Sequence, residues 1–99
     1  MNRQEEIYFE KKMVSLAKMF ARFTKRFYQT PDAENDPAIN LGAERYHATA
    51  SKLFKAFEQA GGNAPGAPDW NGMMEKSGAR RIIDDAMNRY GTEDSTPAP

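Results

Sequence analysis

The clearest structural feature of this chain of 99 residues is the segment 9–27, FEKKMVSLAKMFARFTKRF. Six large apolar residues recur in it at spacings of 4, 3, 4, 3 and 4: Phe9, Met13, Leu16, Phe20, Phe23 and Phe27. Spacings of three and four are typical of a helix that packs lengthwise against another helix, whereas a strand would alternate every two residues. Lys25 and Arg26 near the end suit the helix dipole. We predict a first helix over about residues 3–28.

A second segment with the same spacing follows a polar connection at residues 29–36. Asp36 is a good N-cap, and Pro37 suits the first helical position, where its missing N–H costs nothing. The apolar positions that follow are Ile39, Ala43, Tyr46, Ala50, Leu53, Phe57 and Ala60. Gly61 and Gly62 end this pattern, because glycine accepts the left-handed conformation beyond a helix end. The second helix is predicted over about residues 37–60.

Folding the chain back at the connection brings the two apolar seams together. In each facing pair the two residue numbers add to 66: Phe9–Phe57, Met13–Leu53, Leu16–Ala50, Phe20–Tyr46, Phe23–Ala43 and Phe27–Ile39. Large side chains on the first helix, Leu16 and Phe23, thus face alanine twice, as interdigitated packing requires. The sequence therefore predicts an antiparallel helical hairpin with a defined register.

The rest of the chain predicts one shorter helix. Residues 61–68, GGNAPGAP, are expected to form a flexible joint, and Asp69 is placed to cap a short turn beyond it. Ser77 is predicted to cap a third helix over about residues 77–90. Residues 92–99 contain no apolar residue larger than alanine and are predicted to be a disordered tail. We expect one all-α domain, residues 1–91, as a three-helix bundle or a helical dimer.

The composition argues against catalysis. The absence of cysteine excludes a disulfide, a thiolate nucleophile and a cysteine-based zinc site. The chain has one histidine and no glycine-framed serine or phosphate-binding loop, so we predict a protein that is not an enzyme and uses no cofactor or small-molecule substrate. No signal peptide or membrane-spanning apolar run is present, which predicts a cytoplasmic protein without membrane contact.

One pair of residues has a metal-ligand spacing. Glu44 and His47 form the Glu-x-x-His pattern of di-iron carboxylate bundles. Such a centre also needs a carboxylate on the facing helix, and the register places Arg22 opposite Glu44. We therefore predict no metal site.

The formal net charge of zero conceals an uneven distribution. Residues 1–28 carry +4, residues 29–69 carry −3 and residues 70–99 carry −1. The nucleic-acid-binding candidates lie on the first helix, away from its seam: Lys11, Lys18, Arg22, Lys25 and Arg26. Such a stripe suits a phosphate backbone, although the aromatic residues between these cations belong to the seam and offer no stacking platform. Nucleic-acid association is our alternative hypothesis.

Apolar residues outside the seams indicate a possible protein interface. The candidates are Ile7, Val14, Tyr28, Leu41, Phe54, Trp70, Met73 and Met74. Either the third helix covers them in a monomer, or a protein partner or second copy does so. We favour a small adaptor, assembly subunit, inhibitor or regulator that acts through protein contacts, a profile common among proteins of phages and mobile elements.

Overall fold

The computed structural model describes residues 1–91, which form four α-helices and no strand. The helices are α1 (Arg3–Gln29), α2 (Pro37–Gln59), α3 (Trp70–Ser77) and α4 (Ala79–Tyr90), with a single 3-10 turn at Ala33–Asn35. The all-α prediction is confirmed, and both hairpin helices lie within one residue of their predicted bounds. The predicted tail, residues 92–99, lies outside the described residues.

Side-chain caps fix where the two long helices begin. Asp36 Oδ1 accepts hydrogen bonds from the backbone N–H groups of Ala38 (2.9 Å) and Ile39 (3.2 Å), as the sequence predicted. At the start of α1, Asn2 Oδ1 accepts from Glu5 N at 2.8 Å, while Glu5 Oε1 accepts from Asn2 N at 2.9 Å. Each cap of this kind contributes about 1 kcal/mol to stability.

The antiparallel hairpin has the predicted register at the two levels where rings meet. The Phe9 and Phe57 ring centroids lie 5.4 Å apart in an edge-to-face arrangement. The Phe20 and Tyr46 centroids lie 5.6 Å apart, at a level of the hairpin nearer the connection between the two helices. Both pairs were predicted from the paired seams, so the sequence determined the alignment of α1 with α2.

The central helix of the fold is α1, which packs against the three others. α2 lies along one side of it, α3 and α4 lie along a neighbouring side, and α2 scarcely touches α4. The result is a long, thin molecule of 52 × 27 × 19 Å. Its radius of gyration, 15.6 Å, exceeds the value of about 13 Å expected for a compact chain of 100 residues.

The main core lies where the start of α1 meets the end of α2. Its buried members are Phe9, Met13, Ala17, Phe57, Met73, Met74 and Ala79. Phe57 is fully buried, and its ring also lies 5.7 Å from that of Trp70. Gly61 takes the left-handed conformation (φ 101°) that ends α2, whereas Gly62 is needed because any side chain there would overlap the Phe57 ring.

The segment predicted as a short turn after Asp69 is a helix of eight residues, α3, and the third predicted helix is α4, which begins at Ala79. Gly78, at φ 86°, separates the two helices. The predicted N-cap, Ser77, is instead the last residue of α3, and Gly78 takes the N-cap position of α4, although Ser77 Oγ accepts a hydrogen bond from Ala79 N at 3.2 Å. Asp69 caps α3 by accepting from Gly72 N at 2.6 Å.

Polar contacts tie α3 and the preceding loop into place. Lys76 Nζ lies 3.4 Å from Glu6 Oε1 and 3.4 Å from Glu10 Oε2, which joins α3 to α1. Within residues 61–68, Asn63 N donates to the carbonyl of Pro68 at 2.9 Å. The Asn63 side chain then accepts from Trp70 N at 2.8 Å, so this loop closes directly onto the start of α3.

Candidate functional site

The predicted interface residues fall into three groups by burial. Met73 and Met74 lie in the core, where they hold α3 against α1 and have almost no surface for a partner. Val14 and Trp70 are half-buried against the same core. The exposed members are Ile7, Tyr28, Leu41 and Phe54.

These exposed residues do not form one patch. Leu41, 46% exposed, lies on the outer side of α2, about half a turn away from the seam that faces α1. Ile7 lies near the start of α1, and Phe54 packs its ring 5.2 Å from Trp70 at the far end of α2. Only Tyr28, 47% exposed, belongs to a larger apolar surface.

That surface is a cleft of about 250 Å³ on the C-terminal half of α1, which we call the aromatic groove. Its lining residues are Phe20, Phe23, Thr24, Phe27, Tyr28 and Met87. Among residues 1–91 no charged residue lines it, and the Thr24 hydroxyl is satisfied within α1 by donating to the Phe20 carbonyl at 2.8 Å. The groove is therefore uncharged and mostly apolar.

The aromatic groove exists because α2 and α4 cover neighbouring sides of α1 without closing over the strip between them. α4 runs in the same direction as α1: Ser77, just before its start, lies beside Val14, and Tyr90 at its end lies beside Lys25. Met87, on the last turns of α4, stands at the rim and is 38% exposed.

Met87 was not among the predicted site residues. Met87 follows Ala86 directly and lies about 100° further round the helix, so the two side chains cannot both face α1. Ala86 is buried, and Met87 points toward the groove.

Ring contacts give the groove a fixed shape. The Phe23 and Phe27 centroids lie 5.9 Å apart, and those of Phe27 and Tyr28 lie 5.1 Å apart. Tyr46 of α2 packs on Phe20, and burial of the Tyr46 phenol raises its pKa above the ordinary value of 10.0. These contacts hold the floor of the groove in place without a ligand.

A second, charged surface lies on the outer side of α1 and borders α2 along one edge and α4 along the other. All five of its predicted cations are exposed there: Lys11, Lys18, Arg22, Lys25 and Arg26. None of them forms an ion pair with a carboxylate among residues 1–91. Their charges are therefore available to an external anion.

This charged surface includes a cleft of about 310 Å³ between α1 and α2, which we call the arginine cleft. Its lining residues are Met19, Arg22, Phe23, Arg26, Ala38, Ile39, Gly42 and Arg45. Three arginines thus border an apolar floor, and no carboxylate of the described residues lines the cleft. Arg45 was not among the predicted candidates, although the hairpin register places it opposite residue 21, next to Arg22.

The metal-ligand spacing noted in the sequence has no grouped ligands around it in the described part of the chain. Glu44 and His47 are both exposed on α2. Among residues 1–91, no three histidine, aspartate or glutamate side chains are grouped as a metal ion would require. No helix in this range is long and apolar enough to cross a membrane.

The aromatic groove and the charged surface are therefore the features of this chain that bear on its function. Comparison of the chain with known protein families, with curated protein sequences and with solved structures gives no match.

Proposed function

We propose that this chain is a non-catalytic binding protein, a small adaptor, assembly subunit or regulator, that contacts a protein partner through the aromatic groove. The observation that carries the proposal is the exposure of an uncharged groove with four aromatic rings and one methionine. Aromatic residues and methionine are enriched at the centres of protein interfaces, where charged residues are depleted.

The energetics of the groove also favour an occupant. Apolar surface removed from water stabilises a complex by roughly 25 cal/mol per Å². The rim residues Tyr28 and Met87 are 47% and 38% exposed, so much of their apolar surface remains to be buried. Because the floor is one helix already held on two sides, little ordering of the groove opposes binding.

The shape of the groove favours an amphipathic helix as the bound segment. It follows the axis of α1 and lies between α2 and α4. Side chains at positions i, i+3 and i+4 of a helix from the partner would therefore fit between them. The hypothesis thus specifies a partner with an apolar helical face. A second copy of this chain is the competing occupant.

Affinity purification from the native host tests the proposal with two matched variants. Tyr28→Glu places a charge in the groove, whereas Leu41→Glu places the same charge at an equally exposed apolar site outside it, at 47% and 46% exposure. We expect Leu41→Glu to recover the same proteins as the unmodified chain and Tyr28→Glu to lose one of them. Equal recovery by both variants, with helix content unchanged, would contradict the proposal.

Sedimentation velocity separates the two kinds of partner. A monomer at all accessible concentrations agrees with a different protein as the occupant. A dimer that Tyr28→Glu dissociates would identify a second copy instead.

A further inference from the structure

The outer side of α1 has no acidic residue over most of its length. Between residues 8 and 29, the positions that face away from α2 and α4 are Tyr8, Lys11, Lys12, Ser15, Lys18, Met19, Arg22, Lys25, Arg26 and Gln29. At 1.5 Å per residue this stretch is about 32 Å long. The surface is therefore basic along more than half of the 52 Å length of the molecule.

The adjoining side of α2 extends this surface. Arg45 borders the arginine cleft, and Lys52 lies two turns further along the same side of α2. Thr49, between them, is uncharged. We call the combined surface the basic face, and its eight exposed cations are Lys11, Lys12, Lys18, Arg22, Lys25, Arg26, Arg45 and Lys52.

The arginine cleft gives the basic face a defined anion site. A guanidinium group can donate two parallel hydrogen bonds to one phosphate. Arg22, Arg26 and Arg45 all line the same cleft. The N-terminus of α2 lies close by, but Asp36 already accepts from its free N–H groups. The attraction therefore comes from the arginines.

The carboxylates that border this face among residues 1–91 include Glu10, Asp85 and Asp36, the N-cap of α2 beside the arginine cleft, and each offsets part of its charge. Glu10 lies near Lys11 and Lys18 but is paired with Lys76. Asp85 lines the neighbouring cleft with Arg22 and offsets part of one charge. At physiological salt, charges further away than about 8 Å are largely screened, so a net charge of zero does not cancel the local field.

We propose that the basic face binds the phosphate backbone of duplex nucleic acid without reading its sequence, with one phosphate held in the arginine cleft. An acidic protein fits less well, because apolar side chains on this face are confined to Tyr8 and the floor of the arginine cleft, and the other outward positions of α1 are polar or cationic. A single strand also fits less well, because the only exposed aromatic ring on this face is Tyr8, and Lys12 Nζ lies over it at 5.5 Å from the centroid. Apart from Phe23, which lines both clefts, the basic face shares no residue with the aromatic groove, so the inference does not depend on the proposed function.

Fluorescence anisotropy with a labelled duplex DNA of arbitrary sequence tests the inference on the full chain. Each phosphate neutralised contributes about 0.9 to the slope of log affinity against log salt. Five contacts predict a slope near −4.5, or roughly a 500-fold loss of affinity between about 50 and 200 mM salt. No binding at the lower salt concentration would overturn the proposal without reference to any variant.

Two charge-matched double variants locate the site. Arg26→Glu/Arg45→Glu alters the cleft, whereas Lys55→Glu/Arg81→Glu makes the same change in net charge on the outer surfaces of α2 and α4. We expect the cleft variant to lose at least about tenfold in affinity and to lower the magnitude of the salt slope by about 2, because two phosphate contacts are removed. The control should stay within about threefold, by the same electrostatic argument.

Three results would overturn the proposal. Equal losses in the two double variants would show that only net charge matters. Tighter binding of a single strand than of the duplex would exclude the duplex backbone as the target. Displacement of the DNA by polyglutamate at equal charge concentration would show that the face prefers no phosphate and suits an acidic protein equally.

Discussion

Substitution of Gly62 by alanine tests the packing at the end of the hairpin. The added methyl group would overlap the Phe57 ring, which is fully buried and held between the rings of Phe9 and Trp70. Gly62 has no positive φ, so its substitution introduces no backbone strain and the cost is steric. Overpacking of this kind costs about 1–3 kcal/mol, and the stiffer unfolded chain of alanine returns about 0.4–1 kcal/mol.

The net loss for Gly62→Ala is therefore about 1–2 kcal/mol. For a domain of this size, each kcal/mol lowers Tm by about 4–8 °C, so we expect a decrease of roughly 4–16 °C in a thermal melt followed by circular dichroism.

Gly42→Ala is the matched control. Gly42 lies inside α2, and a methyl group there would lie 3.6 Å from the Phe23 ring, an ordinary contact. Alanine favours a helix over glycine by about 1 kcal/mol, so Tm should rise. An unchanged or higher Tm for Gly62→Ala, or shifts of the same sign in both variants, would refute the packing of Phe57 against Gly62.

Three further predictions concern the core, the ion pairs and pH. Phe57→Ala should lower the free energy of unfolding by about 3–5 kcal/mol in urea titrations, because it empties the centre of the core. Lys76→Gln should lower it by about 0.5–1 kcal/mol at low salt by removing the contacts to Glu6 and Glu10, and the difference should shrink at molar salt. The raised pKa of Tyr46 means that its phenol ionises more readily in the unfolded chain, so stability should fall as pH rises above 10.0 toward the folded-state pKa. Tyr46→Phe should make that alkaline fall smaller, and an unchanged pH profile would contradict the burial of this phenol.

The hairpin was predictable because its determinants are local and repeated. Phe9 and Phe57 lie on seams that run for six or seven positions, and Asp36 with Pro37 marks the start of α2 without ambiguity. Once two such seams are joined by a short connection, one register buries the large residues of both. Local spacing therefore sufficed to align helices that are far apart in sequence at their other ends.

α3 was predicted only as a short turn after Asp69, for the opposite reason. Eight residues give too few turns for a period to be recognised, and Gly72 within the segment weakens its helix propensity. Met73 and Met74 look like surface residues beside a joint until α3 is formed and docked on α1. Their burial depends on tertiary contacts that the sequence pattern does not contain.

The candidate site was predicted in part. Tyr28 and the five cations of α1 were correctly placed outside the seam, because position on one helix follows directly from spacing. Met87 was not among the predicted site residues. It lies in the groove because the apolar face of α4 is wider than the strip that α1 covers. Arg45 was within reach of the register but stands alone on α2, so no local pattern drew attention to it.

Photo-crosslinking from inside the aromatic groove tests directly whether a protein partner occupies it. A photoreactive phenylalanine analogue would replace Tyr28 in one variant and Leu41 in another, and each would be irradiated in the native host. If a protein partner binds the aromatic groove, we expect a crosslinked partner protein from position 28 and none from position 41. A product of equal yield from position 41, or none from position 28, would contradict it.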